Sequence, residues 1–262
     1  MKKKKITNII LFTMVDVISL FWIAPLLSTL AGSFKWDGKE FSLAQYKRIL
    51  IETPIYLNMF WNSVGITIAV LCGSIVVSLL GAFGFTQLTF KGKETLFFVY
   101  IVVMLLPLQV TLMPNYMMAS FLGIEKSYLA IILPAVFSPF GVFLLRQQMN
   151  LIPPECIEAA RIDGAGMGQI FFRIYLPIIK SGVAAVVMLG TVEYWNLIDQ
   201  AIIFIKEPQR YPLSVFLARV NESSLGVSQA SAVFFSIPIL ALLFYGHEYL
   251  KEGIGLMGAQ DR

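Results

Sequence analysis

Long charge-free apolar runs alternate with short polar connections along this chain. Stretches without Asp, Glu, Lys or Arg cover residues 17–34, 53–90, 95–124, 127–145 and 223–246. The first extends back to residue 6 if Asp16 is allowed, and a further run from about 178 to 198 is interrupted by Lys180 near its start and by Glu193. A helix crossing a bilayer needs about 20 mostly apolar residues. The pattern therefore predicts helices near 7–30, 60–86, 96–118, 128–147, 178–198 and 229–250. The fold class that follows is all-α, a polytopic membrane bundle of about six transmembrane helices.

The residues inside these runs are not uniform. Pro107 and Pro114 fall in the third, Pro134 and Pro139 in the fourth. Each proline frees a backbone carbonyl that neighbouring helices must satisfy. Ser74, Ser78 and Ala82 recur every fourth residue in the second, a small-residue stripe that allows close helix approach. Both features predict a packed bundle.

Composition agrees: of 262 residues, 57% are hydrophobic and 14% charged, against about 25% charged in an ordinary soluble domain. The net charge of +4 is spread over short loops and makes no nucleic-acid-binding face. Cys72 and Cys156 are isolated and give neither a metal cluster nor a disulfide framework. Lys2–Lys5 ahead of the first run could open a cleaved signal peptide, but the apolar stretch exceeds the roughly 7–15 residues of a signal core. A retained first helix is the expectation.

Six helices place both termini on one side, and Lys2–Lys5 put that side in the cytoplasm by the positive-inside rule. Twelve Lys and Arg residues then fall in cytoplasmic segments and eight outside. Two outer segments are sizeable: 31–58, with Trp36, Asp37, Tyr46 and Tyr56, and 199–228, with Lys206, Glu207, Arg210 and Tyr211. Docking of an external partner and plain solvated connection are equally open for both.

Residues 147–177 form an inner connection too long to be a simple turn. Pro153 and Pro154 suit a first helical turn. Glu155 and Glu158 complement the helix N-terminus, Glu158 and Arg161 are spaced to pair, and Gly164 can end the helix in a left-handed conformation. A second amphipathic piece is expected from about 166 to 175. Such a unit lies along the inner membrane surface and fits a groove on another protein.

Nothing in the chain suggests catalysis. No phosphate-binding G-x-x-x-x-G-K-[ST] segment is present. No nucleophile is paired with a base, and the lone histidine, His247, lacks companions for a metal. The chain is expected to be a non-enzyme with no metal site.

The segment Glu158-Ala159-Ala160, Gly164, Ile174, Leu176-Pro177 resembles, at every fixed spacing, the signature loop of permeases in binding-protein-dependent ABC importers. Asn62-Ser63, Pro153, Ala160-Arg161-Ile162-Asp163-Gly164-Ala165 and Trp195-Asn196 are similar to the maltose-type carbohydrate permeases. The similarity spans residues 58–255, as one transmembrane domain with its coupling loop at 149–177. It is preceded by a first helix and outer segment (1–57) and followed by a cytoplasmic tail (256–262). The resemblance implies a multi-pass protein of the bacterial cytoplasmic membrane. It would form half of a solute-uptake pathway with a second permease subunit. Two cytoplasmic ABC ATPases would carry ATP and Mg, and an extracytoplasmic solute-binding protein would deliver the cargo, a carbohydrate. A cytoplasmic coupling helix between the fourth and fifth transmembrane helices would present Glu158, Ala159, Ala160, Arg161, Asp163 and Gly164 to an ATPase. A related ABC assembly moving a non-sugar solute, and an ATP-independent carrier or scaffold, are the alternatives.

Ionisable groups within a bilayer point to function. Glu193, with Tyr194, Trp195 and Asn196, forms a polar aromatic cluster suited to sugar hydroxyls and sugar faces, or else to helix packing. With Asn62 these are the candidate pathway residues; Asp16 is a weaker one, suited to pairing with a neighbouring helix. Sugar permeases of this type commonly carry an acid directly after Trp-Asn, whereas here the acids stand at Glu193 and Asp199.

Overall fold

The computed structural model describes residues 2–35, 41–219 and 225–258, with side chains over 11–35, 41–219 and 225–246. Trp36, Asp37, the end of the tail and the side chains of Lys2–Lys5 and His247 lie outside the described residues.

Every regular element among the described residues is helical. In order they form α1 (Lys2–Ser33), α2 (Ala44–Lys47), α3 (Pro54–Gln87), α4 (Lys93–Met104), α5 (Leu108–Phe121), α6 (Leu129–Val136) and α7 (Pro139–Met149). There follow α8 (Pro154–Ile162), α9 (Met167–Ile170), α10 (Leu176–Ile178), α11 (Lys180–Trp195), α12 (Asp199–Phe204), α13 (Leu213–Ala218) and α14 (Leu225–Gly258). Four spans are individually long and apolar enough to cross a membrane: Leu11–Ser33, Pro54–Gln87, Leu129–Met149 and Leu225–Gly246. Counting each of two bent helix pairs as one span gives six.

Those two pairs are not continuous helices. The third, expected near 96–118 with Pro107 and Pro114 inside it, is broken into α4 and α5 at an angle of 105°. Pro107 is the cause: it lacks an N–H and disfavours the helical conformation in the residue before it, and its own backbone is extended at ψ 147°. Pro114, by contrast, lies inside α5 without ending it. The fifth, expected over 178–198, runs only from Lys180 to Trp195 and meets Met167–Ile178 at 69°.

α3 is the axis of the bundle. Its 34 residues at about 1.5 Å each give a rod of about 51 Å, longer than the roughly 30 Å hydrocarbon layer. Its ends therefore reach beyond the apolar slab. Pro54 occupies its first turn and no other proline follows, whereas the other three single spans contain Pro25, Pro134 or Pro238 in a helix interior. The predicted small-residue stripe is its packing face: Ser74, Ser78 and Ala82 are all buried. A Cβ added at Gly81 would lie 3.0 Å from Cγ2 of Val142, so the Val142 side chain of α7 packs directly on the α3 backbone. α11 packs on α3 and α14, and α14 on α1.

Residues 41–58 fold back on the end of α1 and on α13 as a cap. The Tyr46 and Ser33 hydroxyls are 2.8 Å apart, Phe34 stacks on Phe41, and Tyr56 meets Phe216 edge-on. Gln45 and Ile49 are buried. A plain solvated connection does not describe this cap.

Candidate functional site

One end of the bundle carries the 147–177 connection. Pro153 is extended at ψ 131° and Pro154 opens α8, where a missing N–H is costless. Ile157, the buried residue of α8, joins a core cluster with Ile152, Ile170 and Tyr175. This single apolar anchor turns the remainder of the helix outward, leaving Glu155, Glu158, Ala159, Arg161, Ile162 and Asp163 exposed. Ala160 is half-buried and packs on the cluster. Gly164 ends the helix at φ +82°, the left-handed conformation its position predicted. The second amphipathic piece is present as α9 and one wide helical turn, Phe171–Tyr175.

Arg161 departs from expectation. It does not pair with Glu158; its Nη2 donates to Oε1 of Gln87, at 2.7 Å. Gln87 is the last residue of α3, and its Nε2 donates to the hydroxyl of buried Tyr175. The partner of Arg161 is thus 74 residues away, reached only when α8 folds against the end of α3. Gln87 and Tyr175 were not among the candidates. A lone glutamine closing a long apolar run was the available signal for the first.

A second polar contact fixes the same end. Arg146, in the last turn of α7, donates from Nη2 to both carboxylate oxygens of Glu94 at 2.7 and 2.9 Å, and lies 3.7 Å over the Phe97 ring. The guanidinium is nearly buried while Glu94 is largely exposed.

The candidate residues of α11 divide between two faces. Glu193 and Asn196 are exposed, on the same stripe as Leu189 and Val192. Tyr194 and Trp195, expected beside them in a pathway lining, turn into the core instead. Tyr194 donates its hydroxyl to Ala135 O at 3.3 Å. Trp195 donates Nε1–H to Phe235 O at 3.0 Å and stacks on the Phe235 ring. The helical repeat separates neighbouring residues by about 100°, so four in a row cannot share a face. Glu193 also borders a cavity of about 20 Å³ shared with Ser74, Ser78 and Ser138, which has room for about one water molecule.

Asn62 lies at the opposite end of α3 from Gln87. Its amide donates to the carbonyls of Gln209 and Tyr211 at 3.1 and 3.2 Å, and the neighbouring Ser63 hydroxyl accepts from Leu213 N at 3.0 Å. The 206–213 segment is held further by Tyr128, whose hydroxyl donates to Arg210 O, and by Arg210 lying over the Tyr128 ring. Asn62, half-buried, therefore staples this segment to α3. Among the described residues no set of three His, Cys, Asp or Glu converges to hold a metal.

Four similarities to known proteins bear on this arrangement. The family described as the inner membrane component of binding-protein-dependent transport systems matches residues 65–254. The arabinooligosaccharides transport system permease protein AraQ of Halalkalibacterium halodurans is 26% identical over 265 residues, covering 95% of this chain and 94% of that protein. A chain of a bacterial ABC transporter that imports the acidic polysaccharide alginate shares the fold at a TM-score of 0.84 and 19% identity, covering 95% of this chain and 98% of its own. A chain of a bacterial alginate ABC transporter in complex with an alginate pentasaccharide-bound periplasmic protein matches at a TM-score of 0.70 and 14% identity, covering 95% of this chain and 97% of its own.

Proposed function

Since this chain belongs to the family of inner membrane components of binding-protein-dependent transport systems, and is thus the permease subunit of an ABC transporter rather than an enzyme, we propose that it forms half of an uptake pathway for a neutral oligosaccharide. The other half is a second permease subunit. Two cytoplasmic ATPases carry ATP and Mg, and an extracytoplasmic binding protein loads the pathway. Both termini and α8 face the cytoplasm, in keeping with the Lys2–Lys5 cluster and an otherwise modest charge bias.

The observation that carries this reading is the geometry of α8. The helix is anchored through buried Ile157, with Ala160 beside it and Arg161 bonded to Gln87, and offers a ridge of exposed side chains containing Glu158, Ala159 and Asp163. A short exposed helix with a slim alanine face suits a groove on a partner protein. Hydrolysis on the ATPases would move that groove, and the ridge would carry the displacement into the bundle.

The cargo class rests on α11. Glu193 and Asn196 lie on the face left open by this chain, available to the second permease and the pathway. Their oxygen and amide groups suit sugar hydroxyls, and a carboxylate there discriminates against acidic saccharides by repulsion.

Purification of the complex, followed by ATPase and uptake assays in proteoliposomes against a panel of neutral and acidic oligosaccharides, tests both parts. Stimulation by a neutral oligosaccharide is expected. No stimulation by any saccharide overturns the cargo class, and unchanged uptake by the Glu158→Ala complex overturns the docking role of α8.

A further inference from the structure

The polar contacts at the two ends of α3 form a matched pair. At the α8 end, the Gln87 amide is used from both sides, accepting from Arg161 through Oε1 and donating to Tyr175 through Nε2. The orientation is unambiguous because a flipped amide would set its NH2 against a guanidinium, donor against donor. At the far end, Asn62 and Ser63 hold the backbone of the 209–213 segment through three hydrogen bonds. Between the two ends no proline breaks the intrahelical ladder beyond the first turn, unlike the other three single spans. Interior prolines are one place where helices bend, and α3 is the one of the four without any; it runs unbroken from Pro54 to Gln87.

We propose that Gln87 is a positioning residue that locks α8 to α3, so that displacement of α8 by its ATPase reaches the outer 206–213 segment as a movement of one rigid rod. This rests on the docking role of α8 proposed above. Ile157 alone would not suffice. Its apolar contacts are non-directional and allow α8 to slide or roll over the cluster without dragging α3. The Arg161–Gln87 bond is charge-assisted and directional, and Tyr175, buried and edge-on to Phe83 of α3, fixes the amide. Rotation of α8 therefore pulls on the last residue of α3. Lys93 adds to the stiffness of that end by donating from Nζ to Thr86 O at 3.3 Å.

The test uses the full complex in nanodiscs, with Cys72 and Cys156 replaced by Ser and an environment-sensitive fluorophore on Lys206→Cys. The signal is the emission change when ATP and vanadate trap the ATPases. In Gln87→Leu, the ATPases are expected to co-purify and hydrolyse ATP while the emission change falls about fivefold or more, the lower range of ordinary coupling between sites. Gln87→Glu, which keeps an acceptor for Arg161, should retain the change. Tyr175→Phe, a conservative replacement that folds even if Gln87→Leu does not, should reduce it. A purely structural role would lower yield or thermal stability and leave the emission change per assembled complex intact. A full emission change in either Gln87→Leu or Tyr175→Phe overturns the proposal. If no ATPase co-purifies with the unmodified chain, the docking role of α8 fails first, and this proposal with it.

Discussion

The Ser78 hydroxyl occupies the space that a side chain at Gly141 would need: a Cβ built on Gly141 would lie 2.1 Å from Ser78 Oγ. With the Gly81–Val142 contact, it limits how closely α3 and α7 approach. Both residues are buried, so neither can swing into lipid to make room. Gly141→Ala is expected to lower stability by about 1–3 kcal/mol, the usual cost of overpacking. Pairing it with Ser78→Gly should recover most of the loss. Thermal unfolding of the detergent-solubilised chain, followed by size-exclusion fluorescence, checks the single and double variants.

Gly164 offers a cleaner backbone test. No atom lies within 4 Å of a Cβ built there, so any cost of substitution comes from its φ of +82° alone. Gly164→Ala should cost about 1–2 kcal/mol of local order at the end of α8. Gly164→Asn should cost less, because asparagine tolerates that conformation. Expression should be unchanged in both, while uptake per ATP hydrolysed falls in the order Gly, Asn, Ala.

Arg146 and Glu94 are unequal partners. Because Glu94 is largely exposed, Glu94→Gln should cost at most about 1 kcal/mol, as for other solvent-screened pairs. Arg146→Ala loses the pairing, the stacking on Phe97 and the packing of its stem, and should cost about 2 kcal/mol or more. Chemical denaturation of the purified chain gives the ranking; equal losses would contradict it.

The two faces of α11 should separate by assay. Trp195→Phe removes the donor to Phe235 O and should cost about 1–2 kcal/mol of stability without altering which saccharides are carried. Glu193→Gln should leave the unfolding temperature nearly unchanged and shift uptake toward acidic oligosaccharides.

Asn62→Ala should loosen the 206–213 segment. Loss of two hydrogen bonds, about 1–2 kcal/mol together, raises the locally open population about 5- to 30-fold. Trypsin added from the outside should cleave after Lys206 or Arg210 correspondingly faster, while ATPase assembly is unaffected.

Much of this architecture is legible in the residues themselves. Charge-free runs mark the spans, paired prolines and Gly164 bracket α8, and the serine stripe on α3 predicts its packing face, because each signal is local or periodic. What the sequence hides is long-range. Glu158 and Arg161 are spaced to pair, yet Arg161 finds Gln87, since an exposed glutamate exchanges its partners with water and Gln87 is already held by Tyr175. Pro107 announces a break but not its angle of 105°, which depends on what α4 and α5 pack against. The run from Glu193 to Asn196 reads as one cluster until helical geometry divides it.

The first span has a consequence for how this protein is made. Over the most apolar window of Leu11–Ser33 no residue is buried by the rest of the chain, so this helix asks nothing of its neighbours before entering lipid. α11 is different: Ser181, Gly182 and Gly190 are buried against other helices, and Glu193 is unwelcome in hydrocarbon. During synthesis the first span can leave the translocon alone and at once. α11 has reason to wait beside the translocon until α3 and α7 are in place to receive it, which makes its insertion the step most sensitive to faults in earlier helices.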